Sequence, residues 1–258
     1  MKIKWYGTAS LFIEGGNTRL LVDPYLKKYN KKLPPLPMEE ATTAEAILIT
    51  HPHFDHLCDI GTFLGAGIGT AYVSENGIAC ARANGVPTEN MLPLAAGDTL
   101  TIGDITVRAY QSRHCKFDFA TILGVIFNPR TYLHFKNGVK LLKSMKKWKM
   151  KSDIYALEFS CEGKKIMVLG SAGMAKNVEY PTEADLLVFP YQGRSRMHKY
   201  MIPFLERFRP KAVMLDHFDD AFPPFTHTIN TKKFFPTIEK VLPGAKAFLP
   251  TENKWYEV

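Results

Sequence analysis

A short apolar run that stops at a group of histidines constrains this chain more than any other feature. Residues 46–50 have the length and composition of a strand covered on both faces, and the sequence His-Pro-His-Phe-Asp-His follows at once. Side chains two apart in an extended segment point the same way, so His51 and His53 can bind one ion from the end of the strand. Asp55 and His56 lie where the chain turns into a helix and can face a second ion. The string predicts a divalent-metal site, because imidazoles with one carboxylate suit a borderline-soft cation.

Two isolated histidines occupy the same position at the ends of other predicted strands. His114 comes just after an apolar strand at residues 105–111, and His217 follows one at residues 212–215. The carboxyl ends of strands form the rim at which open α/β folds place their ligands. A single histidine there is more typical of a surface residue, but two at matching strand ends favour metal ligands. We expect His114 to complete a three-histidine site with the first two histidines of the string, and His217 to join its aspartate and last histidine.

Composition places the chain among ordinary globular proteins. Of 258 residues, 46% are hydrophobic and 22% charged, which excludes disorder, collagen and coiled coils. Strand-like and helical patterns continue without an internal repeat or a flexible linker, so we expect one domain over residues 1–258. The longest apolar run, residues 119–127, is too short to span a membrane, and the first residues lack the apolar part of a signal peptide. Four cysteines without paired spacing give no disulfide framework, so the sequence predicts a cytoplasmic protein.

The net charge of +8 comes from one segment. The chain has 33 Lys and Arg against 25 Asp and Glu, and residues 119–152 hold eight basic residues and no acid, which leaves 25 of each sign elsewhere. We therefore expect a basic insertion at about 116–152, near His114. Its second half predicts an amphipathic helix, because apolar residues recur at near-helical spacing among lysines. These apolar residues are Leu141, Leu142, Met145 and Trp148.

Three interpretations of this basic helix stay open. Its lysines can form a lid that attracts an anionic substrate, can rest on anionic lipid as a weak membrane-surface contact, or can form the solvated face of a structural helix. Nucleic acid is not an expected partner, because the charge of the rest of the chain is balanced. The sequence carries no signal for an oligomeric state.

The motifs together resemble the metallo-β-lactamase superfamily, whose signature is His-x-His-x-Asp-His followed by an isolated histidine, a Gly-Asp turn and a last histidine. The string at residues 51–56, His114, the Gly170-Ser171 turn and His217 follow that order. The resemblance covers nearly the whole chain and implies the metallo-β-lactamase fold, an α/β four-layer αβ/βα sandwich with metals at the edge between two sheets. The branch of ascorbate-phosphate lactonases and N-acyl-phosphatidylethanolamine phospholipase D is similar in its opening, where this chain has Trp5-Tyr6-Gly7 and Leu20-Leu21-Val22-Asp23-Pro24.

The resemblance implies a role for each matching residue. Asp23 corresponds to a buried aspartate beside the metals. Ser171 stands where the family has an aspartate that bridges both ions, so we expect a firmly held first ion and a weaker second one, with the hydroxyl still able to bond bound water. Asp219 and Asp220 either replace that carboxylate or are two solvated acids, and the solvated interpretation is favoured. The implied ligands are His51, His53, Asp55, His56, His114 and His217.

The chemistry implied is hydrolysis by a metal-bound hydroxide. A divalent ion lowers the pKa of its water to about 7 and polarises the oxygen of the bond under attack. Asp55 would be the catalytic residue that orients this water and accepts a proton. Zinc is the favoured cofactor, as one or two ions, with manganese, iron or nickel as alternatives.

We therefore expect an enzyme, a lactonase-like hydrolase that cleaves an ester, lactone or phosphodiester of an anionic small molecule. Arg194, in the loop after a strand at residues 186–189, and His227 are candidates for substrate contact, and ordinary surface residues are the alternative. A second hypothesis is a protein of the same fold that binds metal or ligand without turnover. A third is a hydrolase that processes nucleic acid, with salt-dependent binding that needs the lysine cluster.

Overall fold

A computed structural model describes residues 1–148 and 153–258; Lys149 and Lys151 of the basic segment lie outside the described residues. The strands are β1 (Lys2–Gly7), β2 (Ser10–Gly15), β3 (Thr18–Val22), β4 (Ala46–Leu48), β5 (Ala71–Val73), β6 (Met91–Pro93), β7 (Thr99–Ile102), β8 (Ile105–Gln111), β9 (Tyr155–Cys161), β10 (Lys164–Leu169), β11 (Leu186–Pro190), β12 (Ala212–Asp216), β13 (Lys246–Phe248) and β14 (Trp255–Glu257). The helices are α1 (Met38–Ala41), α2 (Phe54–Leu57), α3 (Ile60–Gly65), α4 (Glu75–Ala83), α5 (Phe119–Ile126), α6 (Pro129–Leu133), α7 (Phe135–Lys147), α8 (Met197–Tyr200), α9 (Ile202–Phe208) and α10 (Phe234–Val241).

Within the described residues the strands form two seven-stranded sheets. The first sheet has the order β14-β1-β2-β3-β4-β5-β6, and the second has the order β13-β12-β11-β10-β9-β8-β7. Each sheet is antiparallel on one side and parallel on the other, with the change of direction at β3 and at β10. Parallel neighbours place their carboxyl ends at the same edge of a sheet, so the loops after β3, β4, β11 and β12 gather along one rim.

Apolar side chains fill three layers. Leu11 and Ile13 of the first sheet and Leu157 and Phe159 of the second pack together between the sheets. Phe12 points the other way and packs under the helices that cover the outer face of the first sheet. This alternation follows from the two-residue period of a strand. The helices α8, α9 and α10 cover the outer face of the second sheet, which confirms the predicted four-layer αβ/βα sandwich.

Two tight hairpins bring β8, β9 and β10 together in the middle of the second sheet. β7 and β8 turn at Gly103-Asp104, and β9 and β10 turn at Glu162-Gly163. Glu162 and Gly163 both have positive φ, 51° and 73°, as the commonest two-residue hairpin turn requires. Because β8 and β10 both run antiparallel to β9, they point in the same direction, and the segments that follow them meet at the rim through an isolated bridge between Ser112 and Met174.

The described part of the basic segment, which the sequence predicts to be an insertion, folds into α5, α6 and α7. The predicted amphipathic helix exists, but it begins at Phe135 and its predicted apolar face is partly wrong. Leu141 and Trp148 are buried, whereas Leu142 is 57% exposed and Met145 is 44% exposed. The buried stripe instead has Gly138 one turn before Leu141, and Gly138 faces Pro224. None of the helices in the described part of the chain is long and apolar enough to cross a membrane.

Leu157→Ala should lower the free energy of unfolding by about 2–5 kcal/mol, because it leaves a cavity between the sheets, where Leu157 is fully buried. The matched variant Leu133→Ala, at a leucine that is 80% exposed, should change it by less than about 0.5 kcal/mol. Urea unfolding followed by circular dichroism measures both. Equal losses in the two variants would contradict the layer assignment.

Candidate metal centre

Three histidines from two loops converge in a first cluster. His51 and His53 follow β4, and His114 follows β8, on the other sheet. The His51 Nε2 and His53 Nδ1 atoms lie 3.2 Å apart, and the His53 and His114 ring centroids lie 4.7 Å apart. One nitrogen from each ring lies within 4.8 Å of the others. The structure therefore brings together the three histidines that the sequence assigns to one ion.

Asp55, His56 and His217 form a second cluster. The Asp55 Oδ2 atom lies 3.1 Å from His217 Nε2 and 3.5 Å from His56 Nε2. All three ligand atoms lie within 4.8 Å of one another, and Asp55 and His56 are buried. The His51 and His56 ring centroids are only 3.9 Å apart, so the two clusters are adjacent. This arrangement matches the predicted second ligand set.

In four of the five histidine rings, the Nδ1 atom contacts a hydrogen-bond partner that lies outside the two clusters. A ring fixed in this way presents its Nε2 atom to the cluster, which is how proteins usually orient histidines that bind metal. The Nδ1 partners are Thr50 Oγ1 for His51 at 3.1 Å, Asp23 Oδ2 for His56 at 2.8 Å, the Cys115 carbonyl for His114 at 2.7 Å and Gln192 Oε1 for His217 at 2.7 Å.

Sequence reasoning missed Thr50 and Gln192 among these partners. The Thr50 hydroxyl donates to Asp23 Oδ2, so it is left as an acceptor for the His51 ring. Gln192 lies two residues beyond β11, in a rim loop where the sequence drew attention to arginines instead. Both are polar residues at the carboxyl end of a buried strand, and that shared position is the signal that could have found them.

The two clusters differ in the pKa values of their histidines. Burial lowers the pKa of His51 well below its usual range and that of His53 to about 4, and neighbouring histidines act in the same direction. Burial also lowers the pKa of His114. These rings are therefore neutral at pH 7, which is the form that binds a metal ion.

The second cluster contains the Asp55 carboxylate, with Asp23 beside it, and the pKa values of its histidines are shifted in the opposite direction, upward. Burial disfavours a charged His56, but Asp23 and Asp55 outweigh it and raise its pKa to about 9. Burial likewise opposes charge on His217, and the contact with Asp55 raises the pKa of that ring above its usual value. Burial alone would raise the pKa of Asp55, yet His56 and His217 hold it below its usual range. Asp55 is therefore ionised at neutral pH.

Two aspartates beside the second cluster were expected to be solvated or to replace a ligand, and the structure corrects the solvated interpretation. Asp219 is buried, and its Oδ2 atom accepts from the Thr8 amide at 3.0 Å. Asp220 is partly buried and accepts from Arg130 at 2.6 Å and from Thr226 at 3.1 Å. The acids order the loop after His217 instead of facing bulk water.

Buried carboxylate oxygens near the second cluster show whether a cation would fit this part of the structure. Within the described residues, Asp216 Oδ1 and Asp219 Oδ1 are buried without a hydrogen-bond partner. Burial raises the pKa of Asp216 to about 7 and that of Asp219 above its usual value. A buried carboxylate oxygen without a hydrogen-bond partner is stabilised by a nearby positive charge. The donor set and this imbalance both fit a divalent cation.

Ser171 and Gly170 occupy the point where the two sheets meet at the rim. The buried Ser171 hydroxyl accepts from the Cys115 amide at 3.0 Å, so its visible contact orients the loop that carries His114. A Cβ atom added to Gly170 would lie 2.4 Å from the Thr50 Cβ and 2.7 Å from the Tyr155 carbonyl oxygen. Only glycine fits this crossing.

Strained backbone also marks the rim. His217 has φ of 53° and Asp23 has φ of 45°, conformations that cost side-chain-bearing residues about 1–3 kcal/mol each. The His217 amide donates to the Thr8 carbonyl at 2.8 Å, which ties the last residue of the second cluster to the turn between β1 and β2. The surrounding hydrogen bonds hold both residues in place.

Two candidate substrate residues lie outside the clusters. The Arg194 guanidinium donates to the Lys116 carbonyl at 2.9 Å and lies 4.5 Å from the centroid of the Tyr200 ring. Arg194 thus holds the start of the insertion. His227 is exposed, in the loop that follows the second cluster.

Comparisons with known proteins agree with this architecture. Residues 2–214 match the family described as "Beta-lactamase superfamily domain". A UPF0173 metal-dependent hydrolase from Pyrobaculum islandicum is 30% identical over 151 residues, which are 56% of this chain and 64% of that protein. A second one, from Pyrobaculum calidifontis, is 35% identical over 150 residues with the same coverage. The chain thus spans less than two thirds of the length of these curated relatives.

Solved structures share the fold at low sequence identity. The metallo-beta-lactamase fold protein YhfI from Bacillus subtilis superposes with a TM-score of 0.64 at 14% identity, over 99% of this chain and 98% of that one. Igni18, described as a novel metallo hydrolase from Ignicoccus hospitalis, superposes with a TM-score of 0.63 at 14% identity, over 100% of this chain and 98% of that one. These likenesses support the fold assignment.

Gly170→Ala should lower the free energy of unfolding by about 1–3 kcal/mol, because the added methyl group would press on Thr50 and on the β9 backbone. Gly69→Ala is the matched control, since nothing lies within 4 Å of a Cβ atom there. Urea denaturation measures both. A Gly170→Ala protein as stable as the control would show that the sheets do not meet as closely as described.

Proposed function

Because the chain belongs to the beta-lactamase superfamily domain family, which it matches over residues 2–214, we propose that it is a metal-dependent hydrolase. One observation carries the proposal: two adjacent clusters present three ligand atoms each, with most of their rings fixed from behind. The names of the Pyrobaculum relatives, metal-dependent hydrolases, point the same way.

The proposed ligands are the two clusters themselves. Five of the eight histidines of the chain belong to them. Three neutral rings suit zinc in the first cluster, and one carboxylate with two rings suits a second, harder or equally borderline ion. Ser171 brings no negative charge between them, so the second ion should be held more weakly. Zinc is the proposed metal, with manganese, iron and nickel as alternatives.

When bound, the metal supplies a water of lowered pKa and polarises the oxygen of the bond under attack. The chain's own part is to hold and move a proton. The ionised Asp55 carboxylate can accept it at Oδ2, the oxygen that also faces His217. Asp23 keeps the His56 ring from turning, and Gln192 does the same for His217.

We extend the proposal to the substrate class, an ester, lactone or phosphodiester of an anionic small molecule. Exposed Arg113 and Lys116 flank His114 at the mouth of the first cluster, and the insertion that follows is strongly basic. Positive groups at an opening concentrate anions there. A cytoplasmic location remains part of the proposal, supported by the lack of paired spacing among the four cysteines of the sequence.

Protein purified without added metal and then dialysed against zinc should hold two ions per chain by elemental analysis. His114→Ala should lose the first ion in part or whole, because it removes one of three ligands. His134→Ala, at an exposed histidine outside both clusters, should keep both ions. No ion in the wild-type protein, after zinc or manganese, would overturn the proposal.

Asp55→Asn should lower kcat by about 10²–10⁴ on whichever substrate the wild-type protein turns over, because it removes both the proposed proton acceptor and the negative charge of a proposed ligand of the second ion. A panel of p-nitrophenyl esters, a γ-lactone and bis(p-nitrophenyl) phosphate provides the assay. Asp104→Asn is the control, since Asp104 lies in the β7–β8 turn, at the other end of β8 from His114. Zinc retention without turnover of any of these compounds would favour a metal-binding protein that is not an enzyme.

A further inference from the structure

Exposed large apolar side chains are concentrated in one part of this molecule. Of the thirteen such residues in the described chain, eleven lie within residues 117–145. Several are more than half exposed, among them Phe119 at 73%, Phe127 at 74% and Leu133 at 80%. Exposed apolar patches of this kind mark interaction sites on proteins. The patch coincides with the basic insertion.

The helix α5 is apolar, yet no face of it is buried. Its sequence, Phe-Ala-Thr-Ile-Leu-Gly-Val-Ile, is apolar on every side except for Thr121, yet none of its residues is buried. A helix that is apolar all round is normally covered by protein or lipid. Asp118 caps its first turn and accepts from the Ser195 amide at 3.0 Å, which fixes the start of the helix to the body of the protein.

The helix α7 divides its exposed surface into two stripes. Phe135, Val139 and Leu142 are exposed at spacings of four and three residues, which places them in one line along the helix. Lysines 136, 140, 143 and 147 form an adjacent exposed line with the same kind of spacing. An apolar stripe beside a lysine stripe is the pattern of helices that lie in the interface of a membrane.

The charge of the patch selects its partner. Residues 116–148 contain seven basic residues and one acid, Asp118, for a net charge of +6. Asp118 is already engaged by Ser195 and Thr121. A second copy of this chain on the same patch would bring two strongly positive surfaces together across a two-fold axis. An anionic partner with an apolar interior satisfies both the charge and the apolar side chains.

We propose that α5, α6 and α7 form a docking surface for the anionic face of a lipid bilayer. Exposed aromatic and aliphatic side chains enter the boundary between headgroups and acyl chains, while the lysine stripe lies against the phosphates. This inference stands apart from the hydrolase proposal, because it depends on no metal ligand and no catalytic residue.

The surface is fixed to the rest of the molecule next to the metal centre. Arg130 of α6 binds Asp220, in the loop after His217, at 2.6 Å. Ser144 of α7 lies 2.6 Å from the Tyr29 hydroxyl oxygen. The Phe117 ring lies 6.3 Å, centroid to centroid, from the His114 ring. A bilayer that binds this surface therefore lies beside the rim that carries both clusters.

Co-sedimentation of the full chain with vesicles tests the proposal. At low salt the protein should bind vesicles of phosphatidylcholine with phosphatidylserine at least tenfold more tightly than vesicles of phosphatidylcholine alone. Raising the salt should weaken that binding, since the lysines act through screened electrostatics. The triple variant Lys140→Gln/Lys143→Gln/Lys147→Gln should bind roughly 100-fold more weakly, because each lysine near the surface contributes roughly fivefold.

Apolar variants separate insertion from charge alone. Phe127→Ser/Leu133→Ser should lose most of the vesicle binding with its net charge unchanged, while Phe235→Ser, at an exposed phenylalanine on α10, should bind as the wild-type protein does. A lysine control, Lys232→Gln/Lys233→Gln/Lys246→Gln, should lose less than a tenth as much affinity as the α7 triple variant. Thermal unfolding of each variant checks that it is folded.

Three results would overturn the proposal. The first is no sedimentation with the anionic vesicles. The second is binding that the control and patch variants lose equally. The third is a dimer in light scattering that Phe127→Ser/Leu133→Ser abolishes, because it would identify a second copy of the chain as the occupant.

Discussion

The hydrogen bonds of the Asp23 carboxylate are the interaction on which the candidate metal centre depends. It accepts from the Thr50 amide and hydroxyl and from the His56 ring, and the same Thr50 hydroxyl contacts the His51 ring at 3.1 Å. One buried carboxylate thus fixes a ring in each cluster, directly for His56 and through Thr50 for His51. Hydrogen bonds to a charged acceptor are the stronger kind, and burial protects them from competing water.

Two backbone hydrogen bonds across the rim connect this carboxylate to the second sheet. The Tyr155 amide donates to the Thr50 carbonyl at 2.9 Å, and the His217 amide donates to the Thr8 carbonyl at 2.8 Å. The close contact at Gly170 lies beside the first of them. Side chains from the two sheets can therefore meet in one cluster only while the sheets keep this contact. The same contacts between the sheets therefore contribute to the stability of the sandwich and fix the geometry of the candidate site.

The sequence predicted the parts of the site that depend on strand ends. The string at residues 51–56, His114 and His217 were found because polar residues that follow apolar runs meet at one rim. Thr50 and Gln192 were missed, since a threonine or glutamine at a strand end has many ordinary roles and only the fold shows which ring it contacts. Asp219 was misjudged as solvated because its burial depends on Thr8, some 200 residues away in the chain.

The basic segment at residues 116–152 is a second case in which sequence spacing could predict an element but not its long-range contacts. Spacing predicted a helix among the lysines, and α7 confirms it, yet spacing could not tell which apolar line packs on the body. The line that packs contains Gly138 and Leu141, and Gly138 faces Pro224, a residue far away in the chain. The packing of α7 therefore leaves Leu142 and Met145 exposed to solvent, near the candidate metal centre.

Anomalous diffraction from crystals grown with zinc tests most directly whether Asp23 and the rim contacts hold two adjacent sites for metal ions. We expect two peaks, each about 2.0–2.2 Å from its ligand atoms, one among His51, His53 and His114 and the other among Asp55, His56 and His217. The Asp23 bonds to Thr50 and His56 should be intact in the same crystals. Absence of a peak at both clusters, or zinc bound only after those bonds are broken, would contradict this expectation.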